Sequence, residues 1–442
     1  MTAAGAGTTL RNGVPVVLRR RPGADVTTVS VWVPLGSRHE SAPGVTHLLE
    51  HVLMQATPPG RRLRVIDELE SLGAEANALT ARDHLALHAR VPTPEAPGAL
   101  RILADGLANA EFPEDLVEAE RRVVDEELRL AAADPADIVH DVFFATAFER
   151  QQMGRPVGGT PRDVAALTCA HLTQWSRRNV RAGSVAVVVS GDVEPQAIVD
   201  LLDAGPLGDL PPGDPEPENR PHRTYGRADL TLNSDTAAVI VGGHGFALDD
   251  PMLPAAEVLI ELLAGANSSV LHEEIRSRRG LTYDLWGAAT GYRDVGVWRI
   301  GMSTAPEHRD AVVDLAGELL AGARAGGFTE AEVAQAGRRV AALLRLDAES
   351  SLEEVLRLGQ HRLIGRDAGW TTRRHADALL GVEAADVAEC ARVMLDRFVI
   401  ATAGRPAAAT PEAARLAAAQ VDRDGREEEP WSVTLLGAVS PR

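Results

Sequence analysis

"GVTHLLEHVLMQATPPG", residues 44–60, sets His47, Glu50 and His51 into a run that is otherwise mostly apolar. Positions i, i+3 and i+4 of a helix share one face. These three side chains therefore project together, while Leu48, Leu49, Val52 and Leu53 cover the remainder. Two imidazoles and a carboxylate buried without partners would cost several kcal/mol, so the stripe needs a common reason. A divalent cation supplies one, because neutral imidazoles at i and i+4 can fill two corners of a zinc tetrahedron. The order His-x-x-Glu-His is the inverted form of the zinc-protease helix, with the glutamate on the same face to act on water. A polar helix end bonded to neighbouring backbone is the reading these residues alone leave open.

A catalytic zinc usually takes three protein ligands and keeps one position for water, so a third ligand has to lie elsewhere. In "EDLVEAERRVVDEELRL", residues 114–130, positions 116, 120, 123, 127 and 130 form one helical stripe of Leu, Glu, Val, Glu and Leu. The opposite stripe carries Glu118, Arg122, Asp125, Glu126 and Arg129, an ordinary solvated face with charge pairs at i,i+4. The spacing predicts that Glu120 and Glu127 point inward and that Glu126 does not. Inward carboxylates on an apolar stripe again call for a cation.

The 442 residues allow about two to four domains, and the 45% hydrophobic content supports buried cores. Residues 205–224, "GPLGDLPPGDPEPENRPHRT", are dense in Pro, Gly and Asp and read as an extended linker. They divide the chain into 1–204 and 225–442. Each half opens on β-type runs, "VTTVSVWVPLGS" in the first and "DTAAVIVGGHGF" in the second, and continues into Ala/Leu/Glu-rich helices. The segments 112–128 and 328–346 align on Arg-Arg-Val, placing Glu120 on Gly337 and Glu127 on Leu344. A duplicated α+β unit follows, with the acidic residues kept in one copy.

Formal net charge is −18, which disfavours nucleic acid and anionic membranes as partners. Every basic side chain apart from histidine is arginine. The chain has no apolar run of membrane-spanning length, and its first residues lack the apolar core of a signal peptide. Cys169 and Cys390 make neither a disulfide framework nor a metal motif, so a cytoplasmic protein is expected. His84 and His88 fall on a predicted strand near Asn77 and read as exposed strand histidines, with a second metal site as the alternative.

The two helical segments together resemble the pitrilysin–insulinase–mitochondrial processing peptidase family of zinc peptidases, in its short two-domain bacterial form. Members share a His-x-x-Glu-His helix and a downstream "ERxVxxEE"-like helix, and the spacing 127 − 51 = 76 matches Glu127 to the family's ligand glutamate. The resemblance makes His47, His51 and Glu127 the ligands of one Zn²⁺ per chain, Glu50 the general base, and Glu120 the acid that orients the ligands. "GAEANALTARDH" is similar to the family's Gly-x-x-Asn-Ala-x-Thr strand, which offers Asn77 and Ala78 to an extended peptide. "GRPVGGTPRDV" resembles the stretch that follows the zinc helices. "SSVLHEEIRSRRGLTYDL" resembles the segment that supplies a substrate-binding Arg/Tyr pair, here Arg276 and Tyr283. "HVLMQATPPG" departs from the family's "HMxFKGT", losing a Phe and a Lys next to the zinc helix.

What the resemblance implies is a zinc endopeptidase built from two similar α/β-sandwich halves (1–204 binding zinc, 225–442 carrying Arg276 and Tyr283). The pair would make half of a clam-like chamber completed by a second chain, in a homodimer or with a related partner. The substrate would be a peptide or an unfolded segment. The rival is a non-catalytic scaffold of the same fold, which would be expected to have lost the metal residues.

Overall fold

Runs of β-branched residues fit a pleated, buried surface, and they form the centres of two six-stranded sheets. The computed structural model describes residues 7–213, 220–406 and 435–436. The first sheet contains β1 (Gly7–Thr9), β2 (Pro15–Arg20), β3 (Val26–Val33), β4 (Glu75–Thr80), β5 (Leu85–Pro92) and β6 (Ala186–Gly191). The second contains β7 (Gly226–Thr231), β8 (Ala237–Gly245), β9 (Asp284–Gly291), β10 (Gly296–Thr304), β11 (Val399–Gly404) and β12 (Leu435–Leu436). The strand orders are β1-β2-β6-β3-β5-β4 and β12-β7-β11-β8-β10-β9. Each sheet has one parallel pair, β2 with β6 and β7 with β11, and is otherwise antiparallel. Five strands of each sheet match in order and sense, β2, β6, β3, β5 and β4 against β7, β11, β8, β10 and β9, and make the chain a duplicated α+β unit, as its repeated runs predict. The edge strands differ, since β1 precedes the other strands of its sheet in sequence and β12 follows those of its own.

The chain forms two compact units, and each takes one segment from the other half of the sequence. Unit 1 contains residues 1–128, 155–220 and 342–377; unit 2 contains 129–154, 221–341 and 378–442. In unit 1 the helix Ser351–Leu358 covers the first sheet through a polar ladder. Thr28 Oγ1 meets Ser351 Oγ at 2.8 Å, and Ser190 donates to Glu354 at 2.7 Å. Trp32 lies over Gly359, where a Cβ would stand 2.2 Å from the indole. In unit 2 the helix Pro135–Ala147 buries Ile138, Val142 and Phe143 against Ala228, Ile240 and Ala401. A sequential cut misses this exchange because neither segment differs in composition from the helices around it.

The linker stretch also differs from its reading. Residues 214–219 lie outside the described residues, but 205–213 are not extended chain. Leu207 and Leu210 are buried in the unit 1 core, and Asn12 donates its amide to the Leu207 carbonyl at 2.7 Å. Among the described residues no helix is long and apolar enough to cross a membrane.

His84 and His88 are corrected by the structure. His84 precedes β5, is 4% exposed and packs against Trp32 with ring centroids 4.8 Å apart and the planes tilted by 35°. His88 is half-buried opposite Asn77 in the β4–β5 ladder. Strand alternation alone cannot show that a second layer covers this face of the sheet. Burial pushes the His84 pKa down to about 4, and neither of its ring nitrogens has a hydrogen-bond partner. The unfolded chain therefore protonates His84 first, so its contribution to stability is present above pH 6.5 and lost as pH falls toward 4. His84→Phe keeps a ring against Trp32 and removes the titration. Its melting temperature relative to wild type should rise between about pH 7 and about pH 5, and a constant difference across that range would contradict the assignment.

Candidate metal centre

Helix Val45–Gln55 is oriented by its apolar face. Leu48, Leu49 and Val52 are fully buried and Leu53 is 1% exposed, which leaves His47, Glu50 and His51 half-buried together on the remaining side. His47 Nε2 lies 3.8 Å and His51 Nε2 3.4 Å from the two carboxylate oxygens of Glu127. One ligand atom from each of the three residues falls within 4.8 Å of the others. Tetrahedral zinc with bonds of about 2.0–2.2 Å separates its ligands by roughly 3.4 Å. The donor set and its spacing thus fit a zinc ion with one position left for water, whereas these contacts are long for direct hydrogen bonds. On the other side of the ring, His51 Nδ1 is 3.4 Å from Glu120 Oε2. A proton on Nδ1 facing that carboxylate leaves Nε2 bare for the metal.

The second helix, Glu114–Ala133, is rotated relative to its predicted stripe. Its fully buried residues are Val117 and Val124, while Val123 is 51% and Leu130 65% exposed. Glu120 does lie on the inner side, with a side chain 14% exposed. Glu127 stands at its margin, 54% exposed, between Val123 and Leu130. The heptad-like count selects these glutamates but misplaces the stripe, because Arg121 also lies partly inward and bonds the carbonyl of Ala165 at 3.0 Å.

In the metal-free chain the two imidazoles are pushed in opposite directions. Burial lowers the pKa of His47 against the pull of Glu50 and Glu127. The facing carboxylate of Glu127 raises that of His51, with Glu50 and Glu120 adding to it. Glu127 is held below the usual carboxylate range by His51. Glu50 has no ion pair or hydrogen bond among the described residues, so its carboxylate acts on the two histidines only through its charge.

Glycines bring the backbone close to His47. A Cβ on Gly158 would stand 3.0 Å from His47 Nδ1, and one on Gly159 would stand 3.1 Å from Gly44 Cα. This gives the Gly-Gly of "GRPVGGTPRDV" a physical role. The sequence reading missed Glu40. Its buried carboxylate accepts from Gly44 N at 2.8 Å and Thr46 N at 2.7 Å, at the start of the metal helix. The signal was a glutamate four residues before a glycine with no side chain to cap its own helix.

The other predicted residues are placed as follows. Asn77 is exposed on the edge strand β4, and its Oδ1 accepts from Ala78 N at 2.9 Å. Ala78 is buried. In unit 2, Arg278 pairs with Glu273 at 2.7 Å and also with Glu274, and Arg279 pairs with Glu274. Arg276 has no such ion pair among the described residues and is exposed. Tyr283 is 61% exposed immediately before β9.

A duplicated α+β chain with an inverted His-x-x-Glu-His helix and a distant glutamate defines a class of zinc peptidases. The chain belongs to the insulinase family, peptidase family M16: the insulinase model matches residues 15–161 and the M16 inactive-domain model matches 166–340. An uncharacterized zinc protease of Streptomyces coelicolor is 30% identical over 404 residues, 88% of this chain and 87% of that protein. Among solved structures, a peptidase M16 inactive domain from Pseudomonas fluorescens superposes with TM-score 0.84 at 18% identity, over 92% of this chain and 99% of that one. A chain of complex III₂ from Candida albicans gives TM-score 0.78 at 18% identity, over 90% and 95%. The two structures show the fold alone.

Ligand nitrogens must be deprotonated to bind metal, and His51 binds its proton more tightly than a free histidine. Zinc affinity should therefore start to fall above pH 6.5 as the solution is acidified. Purified protein should carry about one Zn²⁺ per chain, lost in His51→Ala. Unchanged metal content in that variant would remove His51 from the ligand set.

Proposed function

We propose that this chain is a cytoplasmic zinc endopeptidase that cleaves peptides or unfolded segments inside a chamber completed by a second chain. The observation that carries this reading is the convergence of His47 Nε2, His51 Nε2 and Glu127, with an unpaired Glu50 on the same helix face. Zinc held there would supply a Lewis acid that polarises the scissile carbonyl and acidifies water. Glu50 accepts the proton of the attacking water and returns it to the leaving amine. Glu120 holds the His51 tautomer. Arg276 and Tyr283, exposed and without acidic partners, stabilise the developing oxyanion. The edge strand β4 receives the substrate as an added strand alongside Asn77 and Ala78.

A scaffold reading draws on the likeness to a chain of complex III₂, but a scaffold has no use for a complete donor set. Glu50→Gln decides between them. It should keep the metal and lower peptide hydrolysis by about 10²–10⁴-fold. Normal turnover in that variant would exclude Glu50 as the base, and an inactive wild type with full zinc content would favour the scaffold.

The second chain is tested by mixing. If Arg276 serves the partner's zinc, Arg276→Ala and Glu50→Gln chains, each inactive alone, recover partial activity together. One composite site then carries both lesions and the other carries neither. No recovery despite demonstrated subunit exchange would mean that each chain builds its own site.

A further inference from the structure

The start of helix Val45–Gln55 cannot cap itself. Helix first turns leave backbone N–H groups without intrahelical partners, and a Ser, Thr, Asp or Asn at the cap position usually satisfies one of them. Here the cap position is Gly44, with φ of 81°, where L side chains are disfavoured. A Cβ at Gly44 would also stand 2.6 Å from the Gly158 carbonyl oxygen, so the packing of Gly158 and Gly159 against this turn excludes a side-chain cap.

Glu40 takes over that task from four residues upstream. It is 2% exposed and its two carboxylate oxygens accept separately, Oε2 from Gly44 N and Oε1 from Thr46 N. The carboxylate faces the positive end of the helix dipole, and Arg155 adds a further attraction. Burial nevertheless pushes its pKa up to about 7, a sign of how dry the position is.

We propose that Glu40 is a positioning residue for the metal site, fixing the first turn of the helix and through it the imidazole of His47. This rests on the zinc reading of the site. His47 is the third helical residue and sits in the turn that Glu40 ties down. His51 is one turn further on, between the buried Leu48, Leu49, Val52 and Leu53, and does not depend on the cap. Loss of Glu40 should therefore release one histidine ligand while the fold and the other ligand remain.

The test compares Glu40→Ala and Glu40→Gln with Glu354→Gln in the full chain. Glu354 is a second buried carboxylate of unit 1, bonded to Ser190 and Arg19; removing its charge gives a matched structural lesion. Zinc dissociation constants come from chelator competition, and cobalt substitution reports coordination by its visible absorption. Glu40→Ala should weaken zinc binding by about 10–100-fold and reduce the tetrahedral cobalt bands. Glu40→Gln, which keeps one acceptor oxygen, should fall between it and wild type. Glu354→Gln should lower the melting temperature with an unchanged zinc constant and cobalt spectrum. If Glu40→Ala loses only melting temperature and matches Glu354→Gln in both metal readouts, Glu40 is structural and the proposal fails. A wild type that binds no zinc would instead overturn the zinc reading itself.

Discussion

The roll of one helix determines the rest of the site. Burying Leu48, Leu49, Val52 and Leu53 against the first sheet fixes the rotation of helix 45–55, and that rotation leaves a single stripe for His47, Glu50 and His51. The apolar contribution is on the order of 1.5–3 kcal/mol for each buried leucine or valine, well above what any polar contact of the stripe could offset. The histidines are thus presented by the core rather than by their own interactions. Their mutual closeness, with ring centroids 5.0 Å apart, is stabilised by a cation or by the carboxylates opposite.

The two copies of the fold divide this labour. Both have a helix at the position of the second acidic segment, Glu114–Ala133 in one and Glu330–Asp347 in the other. Where the first copy places Glu120 behind His51, the second places Gly337, whose missing side chain admits the Leu379 carbonyl: a Cβ there would be 2.7 Å from that oxygen. Where the first has Glu127, the second has Leu344, 5% exposed. Where the first copy presents acidic side chains, the second has a packing helix, and what it keeps on the outside is Arg276 and Tyr283.

Much of this was legible in the sequence because two periodicities carry it. Period-two and continuous β-branched runs placed β3 and β8, and the 3.6-residue period placed His47, Glu50 and His51 on one face and Glu120 on the inner side, while Glu127 lies at the margin rather than inward. The failures have one physical origin: local periodicity reports an element's faces without reporting what covers them. Val123 and Leu130 looked like core and are exposed, while His84 looked like surface and is buried under a layer that arrives from residues 351–370. The exchanged helices were invisible for the same reason, since Pro135–Ala147 and Ser351–Leu358 carry the amphipathic pattern of any covering helix and nothing that addresses them to one sheet. The Glu40 cap escaped because it is a contact between backbone and side chain, which no hydrophobic pattern encodes.

Around His47 the chain uses absence of side chains as its device. Gly44, Gly158 and Gly159 let two backbone segments approach closely enough to wall one side of the imidazole, and His47 Nδ1 is buried there without a hydrogen-bond partner. A larger residue at 158 would have to displace either that ring or Leu128, whose side chain would lie 2.8 Å from the new Cβ. Since Leu128 follows the proposed ligand Glu127 directly, the same displacement would disturb both helices at once. The glycines therefore set a tolerance on the donor spacing, with His47 and Glu127 drawn together by backbone that has no atoms to keep them apart. That close approach has a conformational cost, because glycine loses more freedom on folding than any other residue. The buried leucines of helix 45–55 offset that cost, which links the precision of the site to the same core that sets its roll.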